Sequence, residues 1–347
     1  MSQARAYAAQ SSTSPLAPFQ LSRREPGDKD VKIDIAYCGI CHSDIHNVRS
    51  EWGPGAYPMV PGHEIAGTVT AVGRKVKAFK VGDLAGVGCM VDTCRTCANC
   101  KKGLQQHCEK LISFTYNATE QDGKTQTQGG YSSHIVVDEA FVLKVQEGQP
   151  LERVAPLLCA GITTYSPLKR FGVGKGSKLG VLGLGGLGHM AVKLGAAMGA
   201  EVTMLSGSPS KKADAQRLGA HEFALTSDAA AMAKLAGRFD AIVDTVSGSH
   251  DLNAYLNLLA TEGTLVMVGA SPQPLPVSPF ALILQRRKIA GSLIGGVAET
   301  QEMLDFCAKN KVLADVEVIA AKDVNTAYAR MLKGDVRYRF SIDAKTL

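Results

Sequence analysis

Through the first 150 residues, apolar and polar positions alternate in short runs. Residues 31 to 37, VKIDIAY, have the period-two pattern of a half-buried strand. Comparable runs stand at 64–72, 84–87 and 133–137, separated by Gly, Pro and polar clusters. Many short strands with few helical repeats predict an irregular β-barrel-like unit. Near residue 154 the texture changes. KLGVLGLG from Lys178, then GLGHMAVKLGAAMG, then EVTMLS read as strand, Gly turn, helix and strand. Further strand-like runs fall at 239–246 and 263–270, each reached through a helical segment. Alternation of this kind predicts a parallel sheet with helices on both faces. From about residue 289 follow a last strand (IAGSLIG), a helix around 299–309 and a mixed tail too short for a domain. That tail is expected to return to the first unit.

The expected division is therefore 1–153 with 289–347, and 154–288, with a cysteine lobe at about 89–110. A length of 347 residues fits two domains. With 45% hydrophobic and 20% charged residues the balance is that of a globular protein. No apolar stretch of about 18 residues exists to span a bilayer. Residues 1 to 14 contain one Arg and no long apolar run, so a cytoplasmic location is expected. The net charge of +6 is scattered, and its densest run is Arg286-Arg287-Lys288. Such a run predicts a solvated edge and no nucleic-acid partner, though the mild positive excess can draw in a polyanionic cofactor.

Nine cysteines change the picture, because five of them fall between Cys89 and Cys108. Cys94, Cys97 and Cys100 follow at x2 spacing, with Cys108 after seven intervening residues. Four thiolates fill a tetrahedral shell, which points to a structural zinc ion. Iron–sulfur ligation is the rival, and the long fourth spacing without a following Pro weighs against it. A nucleic-acid-binding ribbon would bring two separated pairs and basic, aromatic neighbours. Cys89 reads as a buried thiol.

A second set lies in CGICHSDIH (38–46), PGHE (61–64) and LLCAGITTY (157–165). Cys41, His63 and Cys159 supply two sulfurs and one imidazole, a three-ligand zinc site with its fourth position open. Such a zinc polarises a carbonyl and stabilises an alkoxide. Glu64 can enter the shell or orient it, and Asp44 can hold the His63 imidazole. The Ser43 hydroxyl is placed to reach a substrate oxygen and His46 to pass the proton to solvent. Turn chemistry accounts for Ser43 and Asp44 nearly as well. His42 reads as a cofactor-phosphate neighbour or a turn cap. His107, His134, His221 and His250 stand outside any motif.

Gly183-Leu184-Gly185-Gly186-Leu187-Gly188 follows a strand and opens a helix. In a dinucleotide fingerprint Gly183 turns the chain, Gly185 admits the pyrophosphate and Gly188 lets helix and sheet close. The phosphates then lie at a helix N-terminus. Where an NAD site carries Asp or Glu, the next strand ends in Ser206, Gly207, Ser208 and Lys211. Hydroxyls plus a cation suit a 2′-phosphate, so NADP(H) is favoured over NAD(H). An ordinary helix-capping turn is the alternative.

Together these segments resemble the zinc-dependent medium-chain alcohol dehydrogenases. The nearest likeness is to the cinnamyl alcohol dehydrogenase branch, and within it to bacterial broad-specificity aldehyde reductases of the YahK type. The likeness runs from about Ala4 to the YRFSID segment. It implies an α/β protein, a Rossmann doubly wound parallel sheet plus a GroES-like β-barrel catalytic domain, with the active site in the cleft between them. It implies a catalytic zinc on Cys41, His63 and Cys159 with Glu64 as alternate ligand, a structural zinc on Cys94, Cys97, Cys100 and Cys108, and a Ser43–His46 proton relay. Cofactor contacts carry over to Thr163, the 183–188 loop, Ser206 to Lys211, Thr245, Gly269, Ser292, Leu293 and Ile294. Some relatives carry Arg or Ser where Gly207 stands here, which thins the phosphate clamp. Trp52 falls where relatives line the substrate pocket, although packing is the commoner reason for a lone tryptophan. A homodimer joined by the 289–296 edge strand is implied as well. The expected activity is reversible reduction of aromatic and aliphatic aldehydes with NADPH. An NAD-dependent alcohol or polyol dehydrogenase is the alternative, and a non-catalytic zinc and NADP(H)-binding or nucleic-acid-binding protein a remote one.

Overall fold

Two strands that the sequence pattern did not single out open the chain. β1 (Ser2–Ala8) and β2 (Ala17–Arg23) pair antiparallel, with Ala4, Ala6 and Ala8 turned inward. Their alternation is present but rests on methyl groups, too small to register as an apolar run. The computed structural model describes residues 1–347. β3 (Asp30–Ile40), β4 (Ile65–Val72), β5 (Leu84–Val87), β8 (His134–Asp138) and β9 (Leu143–Lys144) form most of a curled antiparallel sheet. β6 (Met90–Thr93) and β7 (Ile112–Phe114) pair apart from it and close the base of the 94–111 lobe. β3 is central because it is apolar on both faces: Val31, Ile33 and Ile40 are fully buried. It pairs with both β4 and β8.

A second sheet follows with β10 (Lys178–Leu182), β11 (Glu201–Ser206), β12 (Glu222–Leu225), β13 (Phe239–Asp244), β14 (Leu259–Met267) and β15 (Lys288–Gly291). All its pairs are parallel, in the order β12-β11-β10-β13-β14-β15. This is the doubly wound order in which the sheet reverses direction between its first and fourth strands. Phe239, Ile242, Leu256 and Leu265 pack in its core. The chain then returns to the first sheet through β16 (Val316–Ala320) and β17 (Arg339–Asp343), where β17 pairs antiparallel with β3.

The two compact units are Met1–Cys159 with Gly295–Leu347, and Ala160–Ile294. Both boundaries lie about six residues beyond the positions read from the sequence. Residues 151–158 pack on β3, β4 and β5, which holds them in the first unit. β15 is hydrogen-bonded to β14 and so belongs to the second. It stops at Gly291, shorter than the 289–296 run. Phe239→Ala is expected to destabilise the second unit by about 3–5 kcal/mol, because a large fully buried ring leaves a cavity. Urea unfolding should show this as a lower midpoint at unchanged slope.

Candidate active site

Antiparallel register brings three distant segments to one end of the first sheet. Cys38 stands opposite Ile65, and the Gly39 amide donates to the Glu64 carbonyl at 2.9 Å. β3 therefore delivers Cys41 where the chain preceding β4 delivers His63 and Glu64. Phe340 stands opposite Ile40, which adds Arg339 from the far C-terminus. A Cβ at position 39 would run into the Glu64 side chain, so the strand has glycine there. Cys159 arrives on the short helical turn Ala155–Leu158, and its Sγ lies 3.8 Å from that of Cys41. The ligand atoms of Cys41, His63, Glu64 and Cys159 all lie within 4.8 Å of one another.

The surroundings are charged and dry. Asp44 is fully buried, yet each carboxylate oxygen has two donors. The Cys41 amide (2.8 Å) and the Tyr131 hydroxyl (3.0 Å) reach Oδ2. The Gly62 amide (3.3 Å) and His63 Nδ1 (3.1 Å) reach Oδ1. With Nδ1–H committed to Asp44, His63 presents Nε2 as the free donor atom. Arg339, also buried, pairs with Glu64 Oε1, while Glu64 Oε2 has no partner. The Cys159 hydrogen bond, against burial and with help from Arg339 and His63, holds the Cys41 thiol pKa well below its ordinary value. Burial pushes the Glu64 carboxyl up despite the opposing pull of Arg339.

The donor set fits a zinc ion. Thiolates about 2.3 Å from a tetrahedral zinc stand about 3.8 Å apart, as Cys41 and Cys159 do. The unpartnered Glu64 oxygen adds a buried acceptor to the same cluster. Arg339 was not foreseen, since it enters from 275 positions away. Its one signal is an arginine that opens a strand in which Phe340 and Ile342 alternate with polar residues.

Ser43 Oγ lies 3.5 Å from His63 Nε2, next to the donor atoms. His46 Nδ1 meets Glu51 Oε2 at 2.5 Å, and its ring stacks on Trp52 at 4.6 Å and 23°. Glu51 was also missed, because an exposed acid in a turn carries no motif. Trp52 is 57% exposed, so core packing does not account for it. His42 is pushed to a lower pKa by burial and contacts the Met331 backbone.

In the lobe, the sulfurs of Cys94, Cys97, Cys100 and Cys108 lie within 4.8 Å of one another. Cys94–Cys100 measures 3.9 Å and Cys97–Cys108 4.0 Å, again the spacing of a tetrahedral shell. Amides of Cys97, Cys100 and Glu109 donate to sulfur at 3.4–3.5 Å. The Thr96 amide, with that of Cys97, draws the Cys94 thiol down to about 6, while burial holds Cys100 up at about 12. Four sulfurs and no oxygen or nitrogen donor make this a closed site.

In the second unit, Gly183 turns with φ +88° at the end of β10, and a Cβ on Gly188 would collide with the Gly183 carbonyl. Gly185 is open, with nothing within 4 Å of where a Cβ would stand. Thr245, at the end of β13, donates to the Leu182 and Gly183 carbonyls and so braces this turn. Gly269 packs against the Val246 backbone. Ser206 is buried and its Oγ accepts from the Ser208 amide at 3.2 Å. Lys211 Nζ donates to the Leu184 carbonyl at 2.5 Å, joining the β11 turn to the glycine turn. Gly207 and Leu293 are exposed, whereas the Leu184 side chain points inward. Thr163 lies buried in the helix Ala160–Arg170, Ser292 bonds to the Met267 carbonyl, and Ile294 is buried in a left-handed conformation at φ +36°. The Thr163 helix packs on the helix Gly188–Ala197 that the glycine turn opens.

An open thiolate–imidazole cluster, a closed four-sulfur site and a doubly wound nucleotide-binding sheet define a zinc-type dehydrogenase. Residues 27–147 match the alcohol dehydrogenase GroES-like domain and 186–309 the zinc-binding dehydrogenase domain, and the chain belongs to this family. It is 54% identical over 347 residues to NADP-dependent alcohol dehydrogenase C of Mycobacterium bovis, covering 100% of both chains. To aldehyde reductase YahK of Escherichia coli it is 52% identical over 346 residues, 99% of each chain. The solved cinnamyl alcohol dehydrogenase SbCAD4 of Sorghum bicolor superposes with a TM-score of 0.96 at 46% identity, over 99% of this chain and 98% of that one. The chain is accordingly an oxidoreductase of the alcohol dehydrogenase class.

Removing the counter-charge of Glu64 tests the buried pair. Arg339→Met is expected to cost about 3–5 kcal/mol of stability, as for a buried ion pair broken on one side. Chemical denaturation of the two proteins at neutral pH measures it.

Proposed function

We propose that the chain reduces aldehydes to primary alcohols with NADPH, reversibly and with broad specificity for aromatic and aliphatic substrates. The observation that carries this reading is the Cys41–His63–Cys159 cluster with a hydroxyl, Ser43, 3.5 Å from the metal-directed nitrogen of His63. The names of the M. bovis and E. coli relatives support both the cofactor and the substrate class.

Cys41, His63 and Cys159 would hold the catalytic zinc, with Glu64 as the adjacent alternate ligand. Cys94, Cys97, Cys100 and Cys108 would hold the structural one. Zinc would supply polarisation of the carbonyl oxygen, and the nicotinamide a hydride to the carbonyl carbon. The chain's own work is to bind, orient and move a proton. Asp44 keeps the proton of His63 on Nδ1. Ser43 supplies a proton to the oxygen that becomes the alcohol and recovers it from His46. Glu51, at 2.5 Å, fixes the His46 ring through Nδ1 and leaves Nε2 to exchange protons. Trp52, stacked on that ring and largely exposed, offers an aromatic wall to substrate.

Gly183 to Gly188 would carry the pyrophosphate, and Ser206, Ser208 and Lys211 the 2′-phosphate. Thr163, Thr245, Gly269, Ser292, Leu293 and Ile294 would complete the dinucleotide site. β15 ends its sheet with an unpaired edge and follows a segment whose Phe280, Ile283 and Leu284 are 65–72% exposed. Such an edge beside apolar side chains favours a homodimer joined there. No helix is long and apolar enough to cross a membrane, and the proposed location is the cytoplasm.

Cys41→Ala is expected to abolish NADPH oxidation at 340 nm with every aldehyde while NADPH still binds. Unchanged turnover in that variant would refute the reading. Gly207→Asp tests the cofactor. A Cβ at 207 meets nothing closer than Thr226 Oγ1 at 3.6 Å, so the backbone tolerates it. A carboxylate facing a 2′-phosphate should weaken NADPH binding by about 10- to 100-fold relative to NADH. Fluorescence titration with both cofactors measures the ratio.

A further inference from the structure

Asp44 is the buried anion that aims His63, and a chain of two phenols stands behind it. Tyr131 is fully buried, with its amide on the Pro61 carbonyl at 2.9 Å and its carbonyl taken by the Tyr7 amide at 2.9 Å. Its hydroxyl lies 3.0 Å from Asp44 Oδ2, and Tyr328 Oη lies 3.4 Å from Tyr131 Oη. Tyr328 is itself buried, on the C-terminal helix Val324–Leu332. The direction of these bonds is forced. A carboxylate only accepts, so Tyr131 must donate to Asp44, and its oxygen is left to accept the Tyr328 proton. Burial, and then the Asp44 charge, push both phenols well above their ordinary pKa, so each keeps the proton it donates. Aligned donors of this kind polarise one another in a dry interior.

We propose that Tyr131, backed by Tyr328, is a positioning residue that fixes the Asp44 carboxylate and thereby sets how tightly the His63 cluster holds its metal. Neither phenol belongs to the donor cluster of Cys41, His63, Glu64 and Cys159. Without the Tyr131 donor, Oδ2 keeps the Cys41 amide alone, and the carboxylate is free to turn away from His63 Nδ1. Tyr328 reaches Asp44 through its hydrogen bond to Tyr131. The proposal rests on the reading of Cys41, His63 and Cys159 as zinc ligands. It ties the metal site to the C-terminal helix, nearly 200 residues along the chain from Tyr131.

The test measures zinc in the whole enzyme by competition with a chromogenic chelator. The closed four-cysteine site serves as an internal reference. Tyr131→Phe is expected to release the cluster zinc about 10-fold more readily, within the range seen when the partner of a metal-binding histidine is lost. The lobe zinc should be unaffected. Tyr328→Phe should act in the same direction and more weakly. The double variant should match Tyr131→Phe in zinc affinity, whereas two independent packing losses would add. In cobalt-substituted enzyme the visible bands of the open site should shift in Tyr131→Phe.

A folded Tyr131→Phe that holds the cluster zinc within twofold of wild type overturns the proposal, as does additivity in the double variant. Should Tyr131→Phe fail to fold, an unchanged zinc affinity in Tyr328→Phe overturns it instead. A wild-type chain that holds a single zinc, retained in the lobe, overturns the ligand reading and this proposal with it.

Discussion

Three ionic side chains, Asp44, Glu64 and Arg339, are buried at one end of the first sheet, and the site depends on how they are satisfied. Asp44 spends four acceptor positions on four donors from four different residues, one of them the imidazole it orients. Glu64 has its counter-charge in Arg339, which arrives on the last strand of the chain. Buried charge left unpaired costs several kcal/mol, so the cluster forms only when the register of β3, β4 and β17 is correct. The chemistry and the closure of the sheet are therefore one requirement.

The two sulfur sites differ for a reason visible in their chain geometry. The lobe draws its donors from a single short loop, closed at the base by β6 and β7, with amides aimed at its sulfurs. Its clustered donors are four sulfurs. The other cluster draws its donors from several elements, and those elements bring a hydroxyl and carboxylates with them. Local ligation yields a fixed lobe. Donors from distant elements yield a cluster that mixes sulfur, nitrogen and oxygen.

Much of this was legible beforehand, and the exceptions have physical causes. The cysteine spacing and the glycine turn are local, so their geometry is carried by a few consecutive residues. The β1–β2 hairpin was not seen because alanine alternation is weak. The unit boundaries moved because packing of residues 151–158 and the pairing of β15 are tertiary facts. Lys211 was read as a phosphate ligand; its link to the Leu184 carbonyl, which ties the β11 turn to the glycine turn, was not foreseen.

By itself the sequence determined the two sulfur sets, the nucleotide-binding turn, the absence of an acid after β11 and the family. Each of these is carried by residue type within short segments, the second sulfur set by three separate ones. Tertiary structure alone decided that Arg339 faces Glu64 and that Tyr328 and Tyr131 stand behind Asp44. Those contacts join residues up to 275 positions apart. They exist because strand register and helix packing, not neighbouring residues, set where those side chains end.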